Sequence, residues 1–88
     1  MKIIKLGAEW CQPCHMVEPL LQSVSKEVGA DYINVDIDHP GMYEDLIAEV
    51  GISSIPVVVF QADGREDQHL VGTQQKITYL NLAKAMSS

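Results

Sequence analysis

Positive charge is scarce in this chain: six Lys and Arg stand against twelve Asp and Glu, a net charge of −6 at neutral pH. Such a field repels phosphate backbones and anionic lipid surfaces, which argues against nucleic-acid and membrane partners. Long apolar runs are missing too. None approaches the roughly 20 residues that a membrane-spanning helix needs. The opening MKIIKLGAEW offers only Ile3, Ile4 and Leu6 around Lys5, not the apolar stretch of a secretory leader. Cysteine is limited to two residues, too few for the disulfide framework of a small secreted domain. In a reducing compartment a close pair points instead to thiol chemistry or a metal. These absences together predict a cytoplasmic protein.

What remains is a chain of 88 residues, 47% hydrophobic and 20% charged, which is the balance of a folded globule and not of a disordered segment. Its length allows one domain, residues 1–88, burying roughly 60–65% of the unfolded surface. The run KIIKL (2–6), closed by Gly7, predicts a strand. From Pro13 the apolar residues Met16, Val17, Leu20, Leu21, Val24 and Val28 recur at helical spacing as far as Gly29, with Pro19 placed to kink the helix. DYINVDI (31–37) reads as a strand, HPG (39–41) as a turn and YEDLIAEV (43–50) as a short helix. VVVF (57–60) is a strand apolar on both faces, ADGR (62–65) a hairpin turn, and EDQHLV (66–71) the returning strand. Ile77, Leu80, Leu82, Ala83 and Met86 mark a last helix over about 75–86. The expected fold class is α/β, in the order βαβαββα, with one mixed four-stranded sheet and helices on both faces. The first two strands should be parallel through a helical crossover.

The cysteines fall in EWCQPCHM (9–16), which admits three readings. C-x-x-C-H is a haem attachment signature, with Met16, Met42 and Met86 as candidate axial ligands. Small proteins of that class are almost wholly helical, however, and three strands here speak against it. Structural zinc needs four ligands, and beyond Cys11 and Cys14 only His15, His39 and His69 are on hand, His15 too close to Cys14 to share a metal comfortably. No metal is expected. The redox reading fits the local structure. Cys11 falls where a strand gives way to a helix, with Pro13 suited to the first helical turn. Free N–H groups and the positive dipole end there favour a thiolate and lower a thiol's pKa. Cys14 lies one turn on, within reach of a disulfide. On this reading Cys11 attacks and Cys14 resolves the mixed disulfide.

With AEWCQPC, SSIP and this element order together, the chain resembles the thioredoxin family from Lys2 to about Met86. WCQPC resembles the family's W-C-G-P-C with Gln12 in place of glycine, and Pro19 matches its helix-kinking proline. The resemblance implies that Pro56 is cis and faces the cysteines, that the Ile55 backbone can bond an extended substrate, and that Gly72 of VG (71–72) lines the substrate groove. It also implies a protein dithiol–disulfide oxidoreductase with no cofactor beyond the Cys11–Cys14 disulfide. Its substrates would be protein disulfides, such as that of a ribonucleotide reductase. Its reductant would be a thioredoxin-reductase-type flavoenzyme or glutathione, and it would act as a monomer.

The family's usual first strand and helix have no counterpart, which makes the chain a minimal version, near glutaredoxins in length and topology. SIP and GT stand where glutathione binders carry T-V-P and a double glycine. Where thioredoxins usually carry a buried aspartate, six residues before the first cysteine, this chain has Lys5. As an ammonium Lys5 would favour a thiolate; desolvated, it could serve as a base; or it could reach the sheet edge and do nothing chemical. His15 replaces a common lysine and would assist the thiolate when protonated. Trp10 is expected to contact partners. Gln12 and Pro13, inside the loop, would tune the potential. The competing function is a thioredoxin-fold binding module, or a subunit of a larger assembly, whose docking surface matters more than its sulfurs.

Overall fold

A computed structural model of the chain describes residues 1–87. The elements run β1 (Lys2–Gly7), α1 (Gln12–Val28), β2 (Asp31–Asp36), a 3-10 turn (Gly41–Tyr43), α2 (Glu44–Val50), β3 (Val57–Gln61), β4 (Gln68–Val71) and α3 (Lys76–Ser87). They form an α/β fold with one mixed four-stranded sheet in the order β2-β1-β3-β4. β1 is parallel to β2 and antiparallel to β3, and β4 closes the hairpin.

Strand alternation sorts the core into two layers. Ile3, Val58 and Phe60 point to one face, where α1 supplies Val17, Leu21 and Val24 and α3 supplies Tyr79, Leu80, Ala83 and Met86. Ile4, Leu6, Val57 and Val59 point to the other, covered by Leu46, Ile47 and Val50 of α2. β1 therefore has strands on both sides and helices on both faces, which is why its side chains from Ile3 onward are buried. α1 runs through Pro19 as one helix, and the missing proline N–H leaves the His15 carbonyl without its usual helical donor.

The structure refines several expected boundaries. β4 starts at Gln68, two residues later than the hairpin reading places it, and α2 is preceded by a 3-10 turn that takes in Tyr43. In α3 the buried residue of the first turn is Tyr79, whereas Ile77 is exposed. The Tyr79 ring fills the core, and its hydroxyl sits at the surface end of the helix. There it accepts from the Gln74 N–H at 3.1 Å and donates to the Gly72 carbonyl at 3.3 Å, tying the loop after β4 to α3.

Removing that hydroxyl by Tyr79→Phe should cost about 1–2 kcal/mol in urea unfolding, because a backbone donor and an acceptor lose their partner. Burial also raises the Tyr79 pKa above the ordinary 10.0, the Gln74 bond opposing this more weakly. A phenol held neutral by folding contributes stability below pH 10.0 that is lost as the pH climbs through the folded-state value. The phenylalanine variant should therefore show a shallower loss of stability above that pH than the parent.

Candidate active site

The site is assembled where β1 ends and α1 begins. Cys11 is the N-cap of α1, in extended conformation, with Pro13 in the first turn. Its sulfur accepts the Cys14 N–H at 3.3 Å, as a serine or aspartate cap would. The Cys11 N–H is held in turn by the Ala8 carbonyl at 3.1 Å. Cys11 and Cys14 are joined in a disulfide, their Cα atoms 5.3 Å apart. Cys11 is 5% exposed and Cys14 fully buried. Cys11 is thus the more accessible of the two, though only the rim of its side chain meets solvent.

Gly7 makes this packing possible. A Cβ there would lie 3.0 Å from Cys14 Sγ and 3.1 Å from Cys14 Cβ, so the last residue of β1 must lack a side chain for the helix to settle. By alternation Lys5 shares this face, and it does not reach the sheet edge. It is 2% exposed, because β2 and β3 flank it and α1 covers it. Its Nζ donates to the Cys14 carbonyl at 3.1 Å and to Glu18 Oε2 at 3.3 Å. A cleft of about 180 Å³ beside β2 leads to Lys5, with Glu9, His15 and Asp36 on its walls. The larger cleft, at Met1, Asp31 and Asp63, opens at the opposite end of β1, away from the sulfurs.

The other expected residues fall into two groups. Ile55 packs against Ala8, Cys11 and Cys14. The Ile55–Pro56 peptide bond is cis, and the Pro56 carbonyl accepts the Gly72 N–H at 2.8 Å. Gly72 has φ 80°, a backbone region that favours glycine. Of these three, Ile55 lies against the disulfide, while Pro56 is fully buried and joins Gly72 to it only through that backbone bond. Trp10, directly before Cys11, is 70% exposed. Its indole N–H donates to Asp38 Oδ2 at 2.9 Å, and the Asp38 N–H is fixed by Asp36 Oδ1 at 2.9 Å. The His15 ring turns back to the Glu9 carbonyl, its Nε2 at 2.7 Å as donor. That bond braces the turn before the cysteines. Gln12 is exposed at the start of α1.

Sequence reasoning missed Asp38 and Glu18. Asp38 follows the carboxyl end of β2, the parallel neighbour of β1, so it shares a sheet edge with Trp10. Glu18 stands four residues after Cys14 on α1 and so lies on the same helix side, above the buried Lys5. Among the described residues, no group of three or more His, Cys, Asp or Glu side chains could hold a metal ion.

A vicinal cysteine pair at the head of a helix, beside a cis-proline loop, defines a thiol–disulfide exchange site. Comparison with known proteins agrees. Residues 1–85 match the family model described as thioredoxin. The thioredoxin of Chlamydia caviae is 39% identical over 83 residues, covering 91% of this chain and 76% of that protein. The Rickettsia felis thioredoxin is 31% identical, covering 90% and 74%. Among solved structures, a mutant thioredoxin from Halobacterium salinarum superimposes with a TM-score of 0.84 at 25% identity, covering 99% of this chain and 74% of that one. The Malassezia sympodialis thioredoxin gives 0.78 at 27% identity, covering 99% and 75%. The chain belongs to the thioredoxin family, and it is a thiol–disulfide oxidoreductase.

Gly7→Ala should destabilise the oxidised protein by about 1–3 kcal/mol in urea unfolding, the cost of forcing a methyl group into a filled site. The disulfide and the Lys5 bond keep Cys14 from yielding.

Proposed function

We propose that the chain is a cytoplasmic, monomeric electron donor to protein disulfides, working through a C-Q-P-C loop in which Cys11 is the nucleophile and Cys14 the resolving thiol. The observation that carries this reading is the order of exposure at the pair. An incoming disulfide meets Cys11 at the surface, while Cys14 waits beneath it. In the reduced protein the Cys11 thiolate is stabilised at the head of α1, where it already accepts the Cys14 N–H. It attacks one sulfur of the substrate disulfide, and the other sulfur leaves as a thiolate and takes a proton. Cys14 then attacks Cys11 Sγ, releases the second substrate thiol and closes the Cys11–Cys14 disulfide. Two electrons pass from the pair to the substrate.

Ile55 and Gly72, linked through the buried Pro56, form the wall against which an extended substrate segment lies, with the Ile55 backbone as its hydrogen-bonding edge. Trp10, held upright by Asp38 and largely exposed, is an apolar contact for the partner. Gln12 and Pro13 set the potential through the loop between the sulfurs, and His15 through the turn it braces. The site needs no metal or organic cofactor. Family membership supports a thioredoxin-reductase-type flavoenzyme as reductant, with glutathione as the other candidate, and an enzyme such as ribonucleotide reductase as acceptor.

Cys14→Ser should accumulate a mixed disulfide through Cys11 when given an oxidised protein substrate, and Cys11→Ser should form none. Non-reducing gels with mass mapping of the trapped peptide read both. Equilibration in graded thiol–disulfide buffers should place the pair near about −270 mV, the range of a reducing donor. A potential at or above about −200 mV would move the chain to glutathione-coupled or oxidative exchange. Failure to form an intramolecular disulfide at all would leave a docking module.

A further inference from the structure

The buried lysine under the disulfide is unexplained by packing. A sheet position flanked by two strands and covered by a helix suits an apolar residue, and Ile3, Ile4 and Leu6 of the same strand are all fully buried. Lys5 instead carries an ammonium to the underside of Cys14. Its Nζ is fixed on Cys14's own carbonyl at 3.1 Å. The Cβ position of Gly7 lies 3.0 Å from Cys14 Sγ and 3.5 Å from Lys5 Cε, so those two atoms can be no farther apart than the sum of these distances. Among the described residues it is the basic side chain at the sulfurs. Lys2 stands at the far end of β1, Lys26 at the far end of α1, Arg65 in the β3–β4 turn, and Lys76 and Lys84 on α3.

We propose that Lys5 and Glu18 act as an opposed charge pair that sets how readily Cys14 ionises in the second half of the exchange reaction. This rests on the reading of Cys14 as the resolving thiol. Once Cys11 is tied to a substrate sulfur, Cys14 must lose its proton to attack Cys11 Sγ. Being fully buried, its thiolate has no water to solvate it. The Lys5 ammonium stabilises that thiolate by charge attraction, and the proton given up by Cys14 is balanced by the one that the departing substrate thiolate takes up. Glu18, 3.3 Å from the same nitrogen and 31% exposed at its side chain, offsets part of the ammonium's charge. Lys5 is a positioning residue, and Glu18 its counterweight.

The remaining groups around them are few. From β2, Tyr32 faces Glu18, and its phenol is pushed up first by burial and then by the Glu18 charge. It stays neutral through the working range. Glu9, His15 and Asp36 line the cleft. Val58, the β3 partner of Lys5, is apolar and fully buried.

The test exploits the opposite signs of the two charges. In a Cys11→Ser background, thiolate absorbance titrates Cys14 alone. Lys5→Met should raise the pH midpoint of Cys14 ionisation by about 1, and Glu18→Gln should lower it by a smaller amount. With both cysteines present, the resolving step followed from a preformed Cys11 mixed disulfide at pH 7 should slow about tenfold in Lys5→Met and quicken in Glu18→Gln. Both substitutions break the same ion pair, so a merely structural role would move them in one direction. Shifts of the same sign, or none, would overturn the proposal. Glu18→Gln leaves the strand untouched and decides the matter even if the Lys5 variant folds poorly. A chain that forms no mixed disulfide sinks the donor reading, while the Cys14 titration still decides the charge pair.

Discussion

The site depends on how closely the first turn of α1 can approach the end of β1. The sulfur of Cys14 lies where a side chain at Gly7 would be, and the Cys14 carbonyl is pinned from below by Lys5. With that turn seated, Cys11 is left as the cap residue at the rim, and the rest of the site is placed by the sheet. β1 and β2 are parallel, so the residues that follow them, Trp10 and Asp38, meet at one edge. β3 runs the other way beside β1, so the Ile55–Pro56 segment that leads into it arrives at that edge too. Three chain segments converge on two sulfurs because strand directions bring their ends together.

An ammonium in such a place carries a cost. Taking a charge from water is unfavourable even when it is paired, and an apolar side chain of similar volume often serves stability as well or better. The Lys5–Glu18 pair is only partly dry, Glu18 keeping contact with solvent, which lessens the penalty without removing it. Stability of the sheet alone therefore gives no reason for a lysine between Ile4 and Leu6. The charge makes physical sense only in relation to something else nearby that changes charge.

Much of this was legible in the residues. The short apolar runs KIIKL and VVVF and the helical spacing from Pro13 to Val28 carried the fold, because each pattern matches faces that must be buried. The pair Cys11 and Cys14 was legible because its spacing and its place between strand and helix are both local. What escaped was tertiary. Glu18 looks like one more acid on an exposed helix until Lys5 is known to lie beneath it. Asp38 looks like the tail of a strand until Trp10 is seen across the edge. In α3, Tyr79 and Ile77 are both plausible core residues by spacing. The structure buries Tyr79 because its ring reaches the core while its hydroxyl can still serve the loop after β4.

That hydroxyl has a bearing on recognition. Beyond the Gly72 bond to Pro56, the loop after β4 is a surface segment whose ordering costs conformational entropy. Anchored at both Gly72 and Gln74 to a side chain set in the hydrophobic core, it keeps one shape before any partner arrives. Such a preorganised surface can engage many partners through common backbone geometry without remaking itself for each, which favours rapid, short-lived encounters over tight ones.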